Sequence, residues 1–224
     1  MRSGHGKRNS VATSDGRMFH APGFSAGEQG RFVALQRRLS RQQKGSANRD
    51  RTKAKLGRLR LRLADRRGDW IEQTTTALAD AYSAAAAVED LPIRNMTRRA
   101  KPKPDPDNAG VFLPSGGRAK SGLNRAILAS CWGKFAQRLD HKMSVTEVPA
   151  AHTSQECSKC GHICPENRES QAVFRCQGCG FEHHADINAA INIRDRGFNF
   201  EYQPGAFWGI GCVSHASVPH QPSR

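Results

Sequence analysis

The sequence predicts an α/β protein that carries a basic helical hairpin and, towards its C-terminus, a four-cysteine zinc ribbon. Three observations support this. Two C-x-x-C pairs stand fifteen residues apart. Two helical stripes follow one another across a Lys44-Gly45-Ser46 break, and short apolar strands flank these features.

The chain has 224 residues, enough for one medium domain plus a small module. Its formal net charge is +15 and its pI about 10.2, so a polyanion is the first partner to consider. A membrane surface fits less well, because no amphipathic segment carries an aromatic apolar face. No apolar run approaches the roughly 18 residues of a spanning helix. Met1 to Ser10 is basic but leads into no apolar region of a secretory signal. Paired cysteine knuckles favour metal in a reducing, prokaryotic cytosol over disulfides.

Taken in order, Asn9 to Met18 predicts two short strands around a Ser14-Asp15-Gly16 turn, a strong hairpin signal. Gly27 to Gln43 has Phe32, Leu35 and Leu39 at helical spacing. From Asn48 towards Tyr82, Leu56, Leu59, Leu63 and Trp70 trace a second stripe. Together they predict an antiparallel hairpin over about 28–82, inserted in a core spanning 1–148. Acidic residues are too sparse to balance its cations. Arg37, Arg38, Arg41, Lys44, Arg49, Arg51, Lys53, Arg58 and Arg62 are therefore the expected phosphate contacts, though a merely solvated face is the plainer alternative.

Ala84 to Leu91 predicts a short buried strand, and Lys101 to Gly117 a mobile loop. Ser121 to His141 predicts one helix, with Leu123, Ile127, Cys131, Phe135 and Leu139 as its apolar stripe. Ser144 to Val148 predicts another strand. The ribbon is placed at 149–182, a last helix at 183–197, and a poorly ordered tail at 198–224.

Cys157, Cys160, Cys176 and Cys179 are the expected zinc ligands. Each C-x-x-C turn brings two thiolates to one cation, and Gly161 and Gly180 ease the tight backbone that follows. Four thiolates at about 2.3 Å close a tetrahedral shell, which makes the zinc structural. An iron–sulfur centre would use the same ligands, but zinc suffices. Cys164 lies inside the ribbon, where a fifth ligand has no place, and Cys131 belongs to the core. His162, His183 and His184 are read as surface residues or nucleic-acid contacts.

Two carboxylates stand out. Glu89 ends a strand and Asp186 opens the last helix, an arrangement that can converge on a divalent cation. In isolation, Asp186 could equally be a helix cap and Glu89 an ordinary strand-end acid.

Several blocks resemble one family. Thr153-Ser154-Gln155-x-Cys157-Ser158-x-Cys160-Gly161, Cys176-x-x-Cys179-Gly180 and Asp186-x-Asn188-Ala189-Ala190-x-Asn192-Ile193 are similar to the C-terminal block of the TnpB/OrfB proteins of insertion sequences. Upstream, Ser40-Arg41-x-x-Lys44-Gly45-Ser46-x-Asn48-Arg49, Val88-Glu89-Asp90-Leu91 and Trp132-Gly133-Lys134-Phe135 continue the resemblance.

That resemblance implies a RuvC-like, RNase H-type mixed sheet flanked by helices, and RNA-guided DNA endonuclease activity. Glu89 and Asp186 would be the second and third of three acids holding two Mg²⁺ ions about 4 Å apart. Guide RNA and DNA would be the partners, with the hairpin facing the guide–target duplex.

Two departures accompany it. Gly4, in Ser3-Gly4-His5-Gly6, falls where the family places its first aspartate, and the chain starts where the family's core starts. The expectation is a truncated, catalytically impaired relative. The alternatives are a zinc-dependent nucleic-acid binder that does not cut, or a transposon remnant.

Overall fold

The computed structural model describes residues 11–82, 85–108, 110–170 and 172–198. The Gly4 segment and, from 199 onward, the proposed tail at 198–224 lie outside the described residues, while Phe198 is described. Two compact units divide the described residues: one gathers residues 18–85 and 91–145, the other 12–17, 86–90 and 146–198.

Strands β1 (Val11–Ala12) and β2 (Met18–Phe19) form the expected hairpin. The Thr13 N–H donates to Arg17 O at 2.9 Å, and Gly16 takes φ +91°. Gly16 alone supplies the left-handed residue of this turn, as in a three-residue hairpin loop.

Helices α1 (Ala26–Arg41) and α2 (Ala47–Tyr82) are the predicted hairpin. Ser25 and Glu28 make a reciprocal capping box at the start of α1. Gly45 turns the chain at φ +83°, and Ser46 Oγ accepts the Arg49 N–H at 3.3 Å to begin α2. Leu56, Leu59 and Leu63 are buried as expected, but Trp70 is half-buried and Ile71 and Leu78 take over. The reason is a change of neighbour. The first half of α2 packs on α1 and the second on α5 (Trp132–Asp140), so the buried face shifts around the helix. Trp70 then meets Phe135 at a ring separation of 5.5 Å.

The Arg66 guanidinium donates two hydrogen bonds to the Glu28 carboxylate, at 2.9 and 2.8 Å, joining α1 to α2. That bond, with the Ser25 N–H, holds Glu28 down at about 2 against an ordinary 4.5. A carboxyl depressed in the folded state contributes stability above its unfolded value and loses it as pH falls towards 2. The thermal-stability difference between the parent and Glu28→Gln is therefore expected to shrink steadily from pH 5 to pH 2. A difference independent of pH over that window would contradict the assignment.

Strand β3 (Ala85–Asp90) is half-buried and pairs with β6 (Ser144–Pro149). Between them the chain departs from expectation. A short helix α3 (Ile93–Met96) follows β3, and the predicted loop contains a small antiparallel ladder of β4 (Lys103–Pro104) and β5 (Phe112–Leu113). The single helix expected over 121–141 is two, α4 (Gly117–Ala129) and α5. Cys131 breaks them by adopting φ 62°, and Ser130 Oγ closes α4 by donating to Ile127 O at 2.6 Å. Ile127, Phe135 and Leu139 are buried, but Leu123 is 52 % exposed and leaves the predicted stripe.

The ribbon contains a 3₁₀ turn (Pro165–Asn167) and an antiparallel ladder of β7 (Val173–Arg175) and β8 (Glu182–His184). Helix α6 (Ala185–Phe198) follows. The fold is mixed α/β, and the described residues do not by themselves lay out the continuous sheet implied by the resemblance. The strands of the described residues make four two-stranded ladders. Among the described residues, no helix is long and apolar enough to cross a membrane.

Candidate metal centre and nucleic-acid interface

Cys157, Cys160, Cys176 and Cys179 bring their sulfurs within 4.8 Å of one another. Cys157 Sγ lies 3.8 Å from Cys179 Sγ, and Cys160 Sγ lies 3.6 Å from Cys176 Sγ. A tetrahedron with Zn–S bonds of about 2.3 Å has edges of about 3.8 Å, so the cluster fits a four-thiolate zinc shell.

The two knuckles repeat one backbone pattern. Gly161 and Gly180 donate to Cys157 O and Cys176 O at 2.8 and 2.9 Å, with φ +73° and +70° as their positions require. Cys157 N–H and Cys176 N–H then donate to His162 O and Phe181 O at 3.0 and 2.8 Å. Desolvation pushes the Cys160 thiol up to about 12, whereas the Phe181 backbone N–H holds Cys179 down at about 7. Cys157 and Cys176 are buried and pack with Phe174 and Ala185, while Cys160 and Cys179 are exposed. Cys164 is buried and lies outside the four-sulfur cluster.

Three asparagines that sequence reasoning did not single out as structural hold this module together. Asn167, fully buried, donates to Gln155 O at 2.8 Å and His162 O at 3.0 Å, and accepts the Gln177 N–H at 2.8 Å, so it ties one knuckle to the other. Asn188 donates to Glu156 O at 2.7 Å and accepts from Ser158 N–H at 3.0 Å. Asn192 donates to Thr153 O and Glu156 O at 2.9 and 2.8 Å. Their recurrence at 188 and 192, one helical turn apart, was the available signal.

Glu89 and Asp186 fall in the same unit. Glu89 is half-buried and accepts a hydrogen bond from the Thr153 hydroxyl. Asp186 is half-buried and pairs with Arg168 at 3.0 Å. The helix-cap alternative for Asp186 is replaced by another residue: His184 Nδ1 accepts the Asp186 N–H at 3.2 Å, while the carboxylate turns to Arg168. His162, His183 and His184 are half-buried rather than freely exposed. Carboxylate oxygens are hard donors and suit a divalent cation such as Mg²⁺.

On the hairpin, Arg37, Arg38, Arg41, Lys44, Arg51, Lys53, Arg58 and Arg62 are exposed. Arg51, Arg58 and Arg62 share one flank of α2 by helical spacing. Arg49 differs. It is half-buried and donates to Leu39 O and, at 3.1 Å, to Gln42 O, so it closes the C-terminal end of α1. Arg49, Lys53 and Arg60 also line a groove of about 370 Å³ beside Leu39 and Leu56.

Two family models match the chain: the IS605 OrfB family described as "Probable transposase" over residues 6–100, and the "Cas12f1-like, TNB domain" family over 132–193. The chain belongs to the TnpB/OrfB family. Among this TnpB/OrfB chain's relatives, "Putative RNA-guided DNA endonuclease InsQ" of Escherichia coli (strain K12) is 39% identical over 80% of the chain and 44% of its own length. A "Putative RNA-guided DNA endonuclease" of Streptomyces pristinaespiralis is 28% identical over 82% of the chain and 41% of its own length. The chain thus spans less than half the length of these two curated relatives. Among solved structures, a Cas12f1–sgRNA–target DNA complex aligns at 20% identity and a TM-score of 0.47, over 80% of the chain and 46% of that protein.

Proposed function

We propose that this TnpB/OrfB chain is a core of an RNA-guided DNA endonuclease, in which Glu89 and Asp186 hold a divalent cation and the basic hairpin grips nucleic acid. The observation carrying this reading is the placement of the two acids. They come from distant parts of the sequence, lie half-buried in one unit, and each meets a polar side chain of the ribbon segment, Thr153 or Arg168. The two family models also cover both positions.

When bound, magnesium would activate water and steady the leaving oxygen. The chain's own residues prepare the place. The Thr153 hydroxyl orients one Glu89 oxygen, and Arg168 balances the Asp186 charge until a cation takes its place. Zinc holds the ribbon, while Arg37, Arg38, Arg41, Lys44, Arg51, Lys53, Arg58 and Arg62 present charge to the phosphates of DNA and guide RNA. Arg49 serves α1 instead.

Metal-dependent cleavage of single-stranded DNA, with Mg²⁺ or Mn²⁺, is expected to fall to background in Asp186→Ala, with one zinc per chain retained. Cleavage that survives this substitution would remove Asp186 from the site. A second reading, binding without cutting, rests on Gly4 standing where the family has its first acid. It predicts salt-sensitive binding indifferent to Asp186→Ala, and cleavage that appears only in Gly4→Asp.

A further inference from the structure

Helix α6 crosses the β3–β6 ladder at a point where no side chain fits. A Cβ built on Gly197 would lie 2.3 Å from Ala87 Cβ and 3.5 Å from both Ala87 Cα and Val148 Cγ1. Non-bonded carbons settle at about 3.5–4.0 Å. Ala87 has no further rotamer with which to retreat, and Val148 is buried, so the strand cannot yield locally. The absent methyl sets how closely α6 lies on the ladder.

This contact bears on the acidic pair through simple periodicity. Gly197 and Asp186 are eleven residues apart on α6, which places them within about 20° of each other around the helix and roughly 16 Å apart along it. Ala87 and Glu89 are two residues apart on β3, on one face of the strand. The helix face seated on the ladder at Gly197 is the face that carries Asp186. The strand face it meets is the one that carries Glu89.

We infer that Gly197 is a positioning residue for the Glu89–Asp186 pair: its missing side chain lets α6 seat on Ala87 and so sets the placement of the two carboxylates. The inference rests on the reading of those acids as metal ligands. A methyl at 197 must lift the helix by about 1 Å or more to restore ordinary carbon separation. A misplacement of about 1 Å can cost on the order of 100-fold in a reaction that depends on alignment.

The test is a Mn²⁺ titration of the full chain loaded with zinc, followed by electron paramagnetic resonance, with cleavage measured in parallel. It compares the parent, Asp186→Ala, Gly197→Ala, Ala87→Gly and the double variant Gly197→Ala/Ala87→Gly. Gly197→Ala should keep one zinc per chain yet bind Mn²⁺ at least about tenfold more weakly and cut on the order of 100-fold more slowly. The double variant moves the methyl from strand to helix and should recover affinity to within a few-fold. Ala87→Gly, which only loosens the seat, should weaken Mn²⁺ modestly with the fold intact.

Unchanged Mn²⁺ affinity in both single variants overturns the inference. So does a double variant that keeps its zinc but not its Mn²⁺ affinity. A parent that binds Mn²⁺ no better than Asp186→Ala instead overturns the reading of the acids themselves, before any change at Gly197 is considered.

Discussion

Cys176→Ser is expected to lose zinc and unfold the ribbon, the largest effect of any single substitution in this chain. Apart from the metal, the ribbon rests on a small buried cluster and on the hydrogen bonds of Asn167, Asn188 and Asn192. Its buried cluster consists of Cys157, Phe174, Cys176 and Ala185, with Phe181 packed alongside, and two of these residues are themselves ligands. Burying a phenylalanine contributes about 1.5–3 kcal/mol. A structural zinc contributes apparent free energies of about 10–16 kcal/mol in small zinc modules at neutral pH.

Metal therefore dominates, and a serine hydroxyl is a poor replacement for the sulfur of Cys176, a residue only 2 % exposed. Zinc stoichiometry and limited proteolysis check this. The variant should hold no zinc at equilibrium and be cut within 149–182, whereas Cys131→Ser, outside the four-sulfur cluster, should keep both zinc and resistance. One zinc per chain in Cys176→Ser would overturn the four-thiolate assignment.

What could be read from the sequence follows from how local each signal is. The cysteine knuckles announce themselves because ligand spacing and the following glycines are set within a few residues. Gly161 and Gly180 adopt the left-handed conformation their positions imply. The hairpin was legible for the same reason: Leu56, Leu59 and Leu63 keep one helical period, and Gly45-Ser46 marks the turn.

Legibility ends where tertiary contacts decide. Cys131 carries no sign of its left-handed backbone, so two helices looked like one. Trp70 left the stripe because α2 exchanges one neighbour for another. Arg49 looked like its exposed neighbours, yet its guanidinium meets the α1 carbonyls. Asn167 joins backbone groups brought close only by the fold, which no spacing rule anticipates. Glu89 and Asp186 were singled out by resemblance more than by pattern, and their polar partners Thr153 and Arg168 became visible only in three dimensions.

The second large effect is expected at the junction of ribbon and last helix, where Glu156→Ala should destabilise the protein by about 3 kcal/mol. Arg196 meets Glu156 at 2.5 Å, and the two side chains are only 10% and 9% exposed. Such a pair is weak evidence for stability while intact, because desolvation offsets much of the attraction. Breaking it from one side is different, since a buried charge is left without its counterion, typically at about 3–5 kcal/mol.

The lower end applies here because Arg196 also donates to Pro149 O at 3.1 Å and Ala151 O at 2.7 Å, which keep part of the guanidinium satisfied. Arg196→Met loses those two bonds as well and should cost at least as much. The double variant Glu156→Leu/Arg196→Met leaves no buried charge, so its cost should fall well below the sum of the single costs. Chemical denaturation with zinc in excess measures all three. Additive costs would show that the pair is screened by solvent and that Asn188 and Asn192 carry the junction without it.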